Sequence, residues 1–132
     1  SVPKGAAVDV RAATDDSKAL TIKAMADAMA EVPLTYAANV AINHASGYDF
    51  AVTLTGDILF DNMTNVVVGK KGRIRVVQDA TGSRIASFGA NWEFDGGVAP
   101  SLSTAPNAEG LLYYDAISAT RIFASLAAKA TS

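Results

Sequence analysis

The sequence predicts a mainly β protein, in which an extended N-terminal arm and one short α-helix precede an antiparallel β-domain of about seven or eight strands. Two observations predict this class. Apolar residues recur with helical spacing only in the first 35 residues. From Tyr36 onward the hydrophobic period is two, and β-branched or aromatic runs alternate with turn residues about every ten positions, as in a β-sandwich or barrel.

Composition narrows the class further. The 132 residues and 13.6 kDa suit one domain with one core, and the 50% hydrophobic and 18% charged content is that of a globular chain. A net charge of -2 without a basic block argues against nucleic acid as a partner. The absence of cysteine excludes disulfides, thiolate metal sites and a cysteine nucleophile. No apolar run is long enough for a membrane span, so no membrane partner is expected.

The helix is predicted in the second of three segments, which are the arm (1–20), the helix with its linker (21–35) and the β-domain (36–132). Thr21 is the expected N-cap, and Pro33 disfavours helical geometry at the preceding residue, so the helix should span 22–31. Its apolar residues, with Val32 as the last, follow spacings of three and four and form one stripe.

A helix of about three turns is marginal alone in water, so the stripe is expected to dock on the β-domain or on a neighbouring subunit. The apolar residues of the arm are expected to dock in the same way. The predicted interface therefore comprises Val2, Val8, Val10, Leu20, Ile22, Met25 and Met29.

Alternation defines the strands of the β-domain. In the clearest run the core-facing residues are Tyr48, Phe50, Val52 and Leu54. Tyr113 and Tyr114 must lie on opposite faces of their strand. Strands are predicted over Tyr48–Thr55, Ile58–Phe60, Val66–Val68, Arg73–Asp79, Arg84–Phe88, Asn91–Phe94, Leu111–Ile117 and Arg121–Leu126.

Candidate chemistry is sparse. His44 is the single histidine, so a Ser/His/Asp triad would have to pass through it, against the alternative of a solvated loop histidine. Asp57, Asp61 and Asn62 offer oxygens for calcium but lack the EF-hand spacing, which favours solvated turn residues. The segment 69–72 lacks the P-loop pattern and is predicted to be a hairpin turn.

Aromatic side chains offer one further kind of site. Tyr113, Tyr114 and Trp92 could line a sugar-binding face, and the alternative places one tyrosine in the core and the other at the surface or an interface. No cofactor or metal is expected.

Two stretches resemble structural proteins of tailed bacteriophages. Residues 13–26, ATDDSKALTIKAMA, are similar to the TDDTKAVTPKTLA segment of phage tail fibres and other appendages, with Ile22 in place of its proline. From about Val52 to Phe123, the motifs GRIRVVQDATGSR at 72–84 and WEF at 92–94 resemble a small β-sandwich module of tail fibres, head fibres and other virion proteins.

The resemblance implies a jelly-roll-like sandwich and an architectural role. It implies a non-enzymatic homotrimer, made in the host cytoplasm and located in the virion, that docks on the major capsid protein or another virion protein. Capsid decoration, as a cement protein, or the base of a head fibre is the first expectation. The alternative is a tail-fibre or tail-tip module that recognises a host surface glycan. A small hydrolase that works through His44 is a third interpretation.

Overall fold

The computed structural model describes residues 22–128, and over this range the protein is mainly β. The predictions for the arm, including Val2, Val8, Val10 and Leu20, and for the Thr21 cap lie outside the described residues. One α-helix, α1, spans Ile22–Met29. The strands, numbered in chain order, are β1 (Val32–Pro33), β2 (Asn39–Val40), β3 (Asp49–Leu54), β4 (Ile58–Phe60), β5 (Lys71–Gln78), β6 (Ala86–Phe88), β7 (Trp92–Phe94), β8 (Glu109–Ser118) and β9 (Arg121–Ala128).

Within the described residues the strands form two sheets. The larger has six strands in the order β1-β3-β5-β8-β9-β7, and the smaller has three in the order β2-β4-β6. The chain therefore passes alternately from one sheet to the other from β1 to β6. Each passage through both sheets makes one coil of the chain, and successive coils stack side by side.

The predicted antiparallel, jelly-roll-like pairing is wrong for most of the domain. Among residues 22–128 five of the seven strand pairs are parallel, and only β5–β8 and β8–β9 are antiparallel. Parallel neighbours need a long crossover connection, and here the intervening strand of the other sheet lies within that connection. Alternation of side chains defines the buried face of a strand but not the direction of its partner.

One hydrophobic core draws side chains from both sheets. Ile58 and Phe60 of the small sheet share it with Phe50, Ile74 and Leu112 of the large sheet. The period of two explains why, since alternate residues of each strand point to the same face. The predicted inward residues Phe50, Val52 and Leu54 are all buried, whereas Tyr48 at the start of that run is half-buried.

The helix ends two residues before the predicted position, at Met29. Val32 does not continue the helical stripe, because Val32 and Pro33 pair in parallel with Phe50 and Ala51 of β3. The large sheet thus begins inside the segment 21–35 that was predicted as helix and linker. Pro33 has no N–H to donate, which suits its place in the edge strand of that sheet.

The predicted strand Val66–Val68 is not formed. Its central N–H, that of Val67, donates to Nδ1 of His44 at 3.0 Å instead of joining a sheet. The N–H of Lys70 donates to the Val67 carbonyl at 3.1 Å, which closes a turn. Val68 is exposed. A run of β-branched residues therefore becomes a connection, because a buried side chain takes its backbone donor.

Candidate functional site

The predicted apolar stripe of α1 is on the surface. Ile22 is 91% exposed, Met25 49% and Met29 53%, and their spacing of three and four places them on one side of the helix. Lys23 and Asp27 form an ion pair of 2.7 Å on the other side. The helix is therefore amphipathic, and its apolar side faces solvent in the single chain. We call Ile22, Met25 and Met29 the helix stripe.

A second exposed apolar group lies on the outer face of the β8–β9 pair. Tyr113 and Ile117 of β8 and Phe123 of β9 are each about two fifths exposed. Phe123 pairs across the strands with Asp115, the residue midway between Tyr113 and Ile117. Side chains on one face of neighbouring strands lie within reach of their diagonal neighbours. We call Tyr113, Ile117 and Phe123 the outer patch.

Ion pairs lie beside the outer patch. Arg121 Nε donates to Glu93 at 2.9 Å, and Lys71 Nζ lies 3.7 Å from Asp115. The hydrogen bond from Arg121 holds the pKa of Glu93 below its usual range. Exposed pairs of this kind contribute little to stability. A group of exposed apolar side chains beside paired charges has the composition of a protein contact surface.

The two tyrosines of β8 behave as the alternation predicts. Tyr114 is buried and its hydroxyl donates to the Tyr48 carbonyl at 2.5 Å, whereas Tyr113 is exposed. Burial raises the pKa of Tyr114 well above its ordinary value. Trp92 is also buried, and its Nε1 donates to the Asp61 carbonyl at 3.0 Å. Of the three aromatics considered for a sugar-binding face, only Tyr113 is exposed.

His44 is fully buried, so the prediction of a solvated loop histidine is wrong. It lies in a short 3-10 helix, His44–Ser46, that Asn43 caps by accepting the Ala45 N–H at 3.1 Å. Its ring packs edge-on against Tyr114, with centroids 5.3 Å apart. Its Nε2 has no hydrogen-bond partner among the described residues. These contacts hold the loop against the core.

Lys70 is buried beside His44. Its Nζ donates to the His44 carbonyl at 2.6 Å and lies 4.5 Å from the centre of the Tyr48 ring. Burial, reinforced by the charge of Lys70, lowers the pKa of His44 to about 4. The imidazole is therefore neutral at pH 7. Local sequence offers no signal for this arrangement, because Lys70 and His44 are 26 residues apart.

The side chains considered for calcium make hydrogen bonds between successive coils. Asp57 accepts the Ile85 N–H at 3.0 Å, and Asn62 accepts the Asn91 N–H at 2.8 Å. Asp61 accepts from the Asn39 amide at 3.1 Å. Among the residues from 22 to 128 there is no cluster of three or more His, Asp or Glu side chains suited to a metal ion.

Glycines shape the turn at 69–72 in two different ways. Gly69 has φ of +86°, as a tight turn requires. Gly72 is the second residue of β5, so the turn leads into a strand without the hairpin partner that was predicted. A Cβ on Gly72 would lie 1.9 Å from the Tyr48 carbonyl oxygen. Close approach of the backbone, and not positive φ, requires glycine at 72.

Two members of the outer patch were not predicted as site residues from the sequence. Ile117 ends a predicted strand and Phe123 lies in another, and alternation around the buried Ile122 places Phe123 outward. That signal was present in the pattern. The burial of His44 and Lys70 has no such signal, because it depends on how the coils stack.

Comparison of the chain with protein-family models, with curated proteins and with solved structures gives no match. In the described part of the chain, no helix has the length and apolar character needed to span a membrane.

Proposed function

We propose that the chain is a non-enzymatic virion structural protein, a homotrimeric capsid decoration (cement) or head-fibre protein that docks on a phage particle. The helix stripe is the observation that carries this proposal. Three large apolar side chains on one side of a short helix are exposed in the single chain. The resemblance of residues 13–26 and of about Val52 to Phe123 to phage appendage proteins supplies the class of particle.

Burial energetics support docking through this surface. An isolated helix of eight residues is too short to be stable in water by itself. Burial of a fully exposed Ile or Met side chain contributes about 1.5–3 kcal/mol, and Met25 and Met29, which are already about half buried, would each contribute about half of that. The helix stripe therefore gains stability when a neighbouring subunit or a capsid protein covers it. The outer patch offers a second surface of the same character.

The proposed architecture is a sandwich, with the two sheets facing each other across their shared core. Phe50 and Ile74 from the large sheet and Phe60 from the small sheet belong to one buried cluster, which supports this arrangement. The pairing inside each sheet is mainly parallel, so the proposed sandwich differs from the antiparallel jelly roll expected from the family. A rigid core of this kind suits a mechanical role.

The alternative is a tail-fibre or tail-tip module that recognises a host surface glycan. The exposed Tyr113 of the outer patch favours it, because an aromatic ring can stack on a sugar. This candidate predicts binding to cells and no binding to capsids.

Two sedimentation assays distinguish the candidates. Particles purified from cells that carry the gene are stripped of the protein and mixed with the purified full chain, and host cells are mixed with it in parallel. Capsid decoration predicts co-sedimentation with particles and its loss in the variant Met25→Asp. Lys23→Gln, on the opposite side of α1, is the matched control and should bind normally. Sedimentation with cells alone would contradict decoration and support the alternative.

A further inference from the structure

The small sheet ends in an open edge at β6. The Ile58 N–H donates to the Ile85 carbonyl at 2.9 Å, and the Gly89 N–H donates to the Phe60 carbonyl at 2.8 Å. Backbone groups alternate in direction along a strand, so those of Ala86 and Phe88 point away from β4. Within residues 22–128 no strand pairs with this side of β6.

An open groove of about 640 Å³, lined by apolar and polar residues, lies beside β6. Its lining includes Phe88, Phe94, Pro100 and Leu102, with Ile85 exposed. Side chains alternate along β6, and this alternation determines what each face of a strand added beside it would contact. Ala86 and Phe88 pack against the core, whereas Ser87 is exposed. An added strand would need small or apolar side chains on the inner side and polar ones on the outer side.

One segment of the chain outside the described residues has this pattern. In Ala6–Ala12, AAVDVRA, the alternate residues Ala6, Val8, Val10 and Ala12 are apolar, and Asp9 and Arg11 lie between them. Residues 13–21 connect this segment to α1 and can span up to about 30 Å when extended. The segment thus has both the pattern and the reach for the edge of a neighbouring molecule.

We propose that Ala6–Ala12 of one copy of the chain adds as a fourth strand to the free edge of β6 in a neighbouring copy. The inference rests on the proposed homotrimer and adds a backbone contact between its copies to the contact made by the helix stripe. Addition to a neighbouring copy follows from that homotrimer, and addition to β6 of the same chain, which lies two strand spacings from the first coil, is the alternative that the test distinguishes. Each copy gives one segment and receives one, a head-to-tail contact that closes into a ring on a threefold axis.

Disulfide trapping in the full-length chain tests the contact, because the natural sequence has no cysteine. Ser87→Cys on the exposed side of β6 is combined in turn with Ala7→Cys, Asp9→Cys or Arg11→Cys, so that each register is covered. After mild oxidation we expect covalent dimers and trimers on non-reducing gels. The best of these pairs should cross-link on the order of tenfold more than Ser87→Cys with Val10→Cys, whose side chains lie on opposite faces.

The matched control is Asp9→Cys combined with Thr53→Cys, since Thr53 is exposed on β3 of the other sheet. Equal yields with Thr53→Cys and Ser87→Cys, or cross-links within a single chain, would overturn the proposal. Light scattering of the unmodified chain distinguishes a failure of the strand addition from a failure of the homotrimer. A trimer that gives no Ser87→Cys cross-link contradicts the strand addition alone, and a monomer contradicts the homotrimer as well.

Discussion

His44 accepts the Val67 N–H through Nδ1, and this hydrogen bond requires the neutral imidazole. Protonation would turn the acceptor into a donor and place a second cation near the buried ammonium of Lys70. Tyr48, Tyr114 and Lys70 surround or adjoin the ring, and none of these residues is a carboxylate. The single histidine of the chain therefore couples the fold to pH.

We predict that the free energy of unfolding decreases as the pH is lowered from about 6.5 to about 4. The pKa of His44 is about 4 in the folded chain and about 6.5 when unfolded, so the unfolded chain binds more protons in this range. The contribution of the neutral imidazole is complete above the unfolded pKa and is lost as pH falls to the folded one. The loss amounts to about 3 kcal/mol. Urea unfolding at pH 7, 5.5 and 4 measures it.

His44→Asn is the matched variant, because its amide oxygen can accept the Val67 N–H and does not titrate. This variant should be less stable at pH 7, where it loses the packing against Tyr114, but its stability should change less between pH 7 and 4. Equal pH dependence in both proteins would show that carboxylates, and not His44, control the response.

Gly72 gives a second prediction for a single residue. Gly72→Ala should lower the free energy of unfolding by about 2–4 kcal/mol, because the new Cβ meets the Tyr48 carbonyl and the backbone must move. Gly96→Ala should cost only about 1 kcal/mol, since Gly96 has φ of +73° but no atom within 4 Å of the new Cβ. Thermal or urea unfolding measures both, and an equal loss would refute the role given to close packing.

Among the elements, β5 is tied to two loops by one buried side chain. Gln78 Nε2 donates to the carbonyls of Arg84 and Ser103 at 2.8 and 3.1 Å, and its Oε1 accepts the Arg84 N–H at 3.0 Å. Gln78→Met should therefore cost about 1–3 kcal/mol in the free energy of unfolding, because part-buried backbone groups lose their partners. Urea unfolding tests this, with Val77→Met at the adjacent, half-exposed position as the control. Equal stability of Gln78→Met and the natural chain would contradict the account.

Helix α1 gives the opposite prediction, since its stripe faces solvent. Replacing Ile22 and Met25 together by Gln should change the free energy of unfolding of the single chain by about 0.5 kcal/mol or less. The same variant should weaken self-association, which sedimentation velocity over a concentration series measures. A large loss of stability without a change in association would show that the stripe packs inside one chain.

Local sequence patterns predicted the positions of strands better than the contacts that their residues make. Alternation located β3 and β4 closely, because their inward residues are consecutive members of one core. It failed at Val66–Val68, where His44 takes the N–H of Val67. Alternation puts Gln78 on the face of Ile74 and Val76, and the burial of this polar side chain there depends on its hydrogen bonds to Arg84 and Ser103. Contacts between distant segments decide these cases, and no local window contains them.

For the molecule as a whole, the stacking of coils could not be predicted from the sequence. Parallel pairing joins Phe50 to Ile74 and Ile58 to Ala86, partners that are more than twenty residues apart. Hydrophobic period specifies which side of each strand is buried, and sequence order alone does not reveal that alternate strands belong to different sheets. The apolar side of α1 was predicted because the helical spacing of Ile22, Met25 and Met29 is a local feature.

We propose that exposed apolar surfaces of this chain join copies of it into a structural trimer. Light scattering coupled to size exclusion, on the full-length chain at neutral pH, tests this proposal. We expect a particle with three times the 13.6 kDa mass of one chain. We also expect the Ile22 and Met25 double replacement to lower that mass toward one chain at dilution. A natural chain that remains a 13.6 kDa monomer at the highest concentration tested would contradict the proposed trimer.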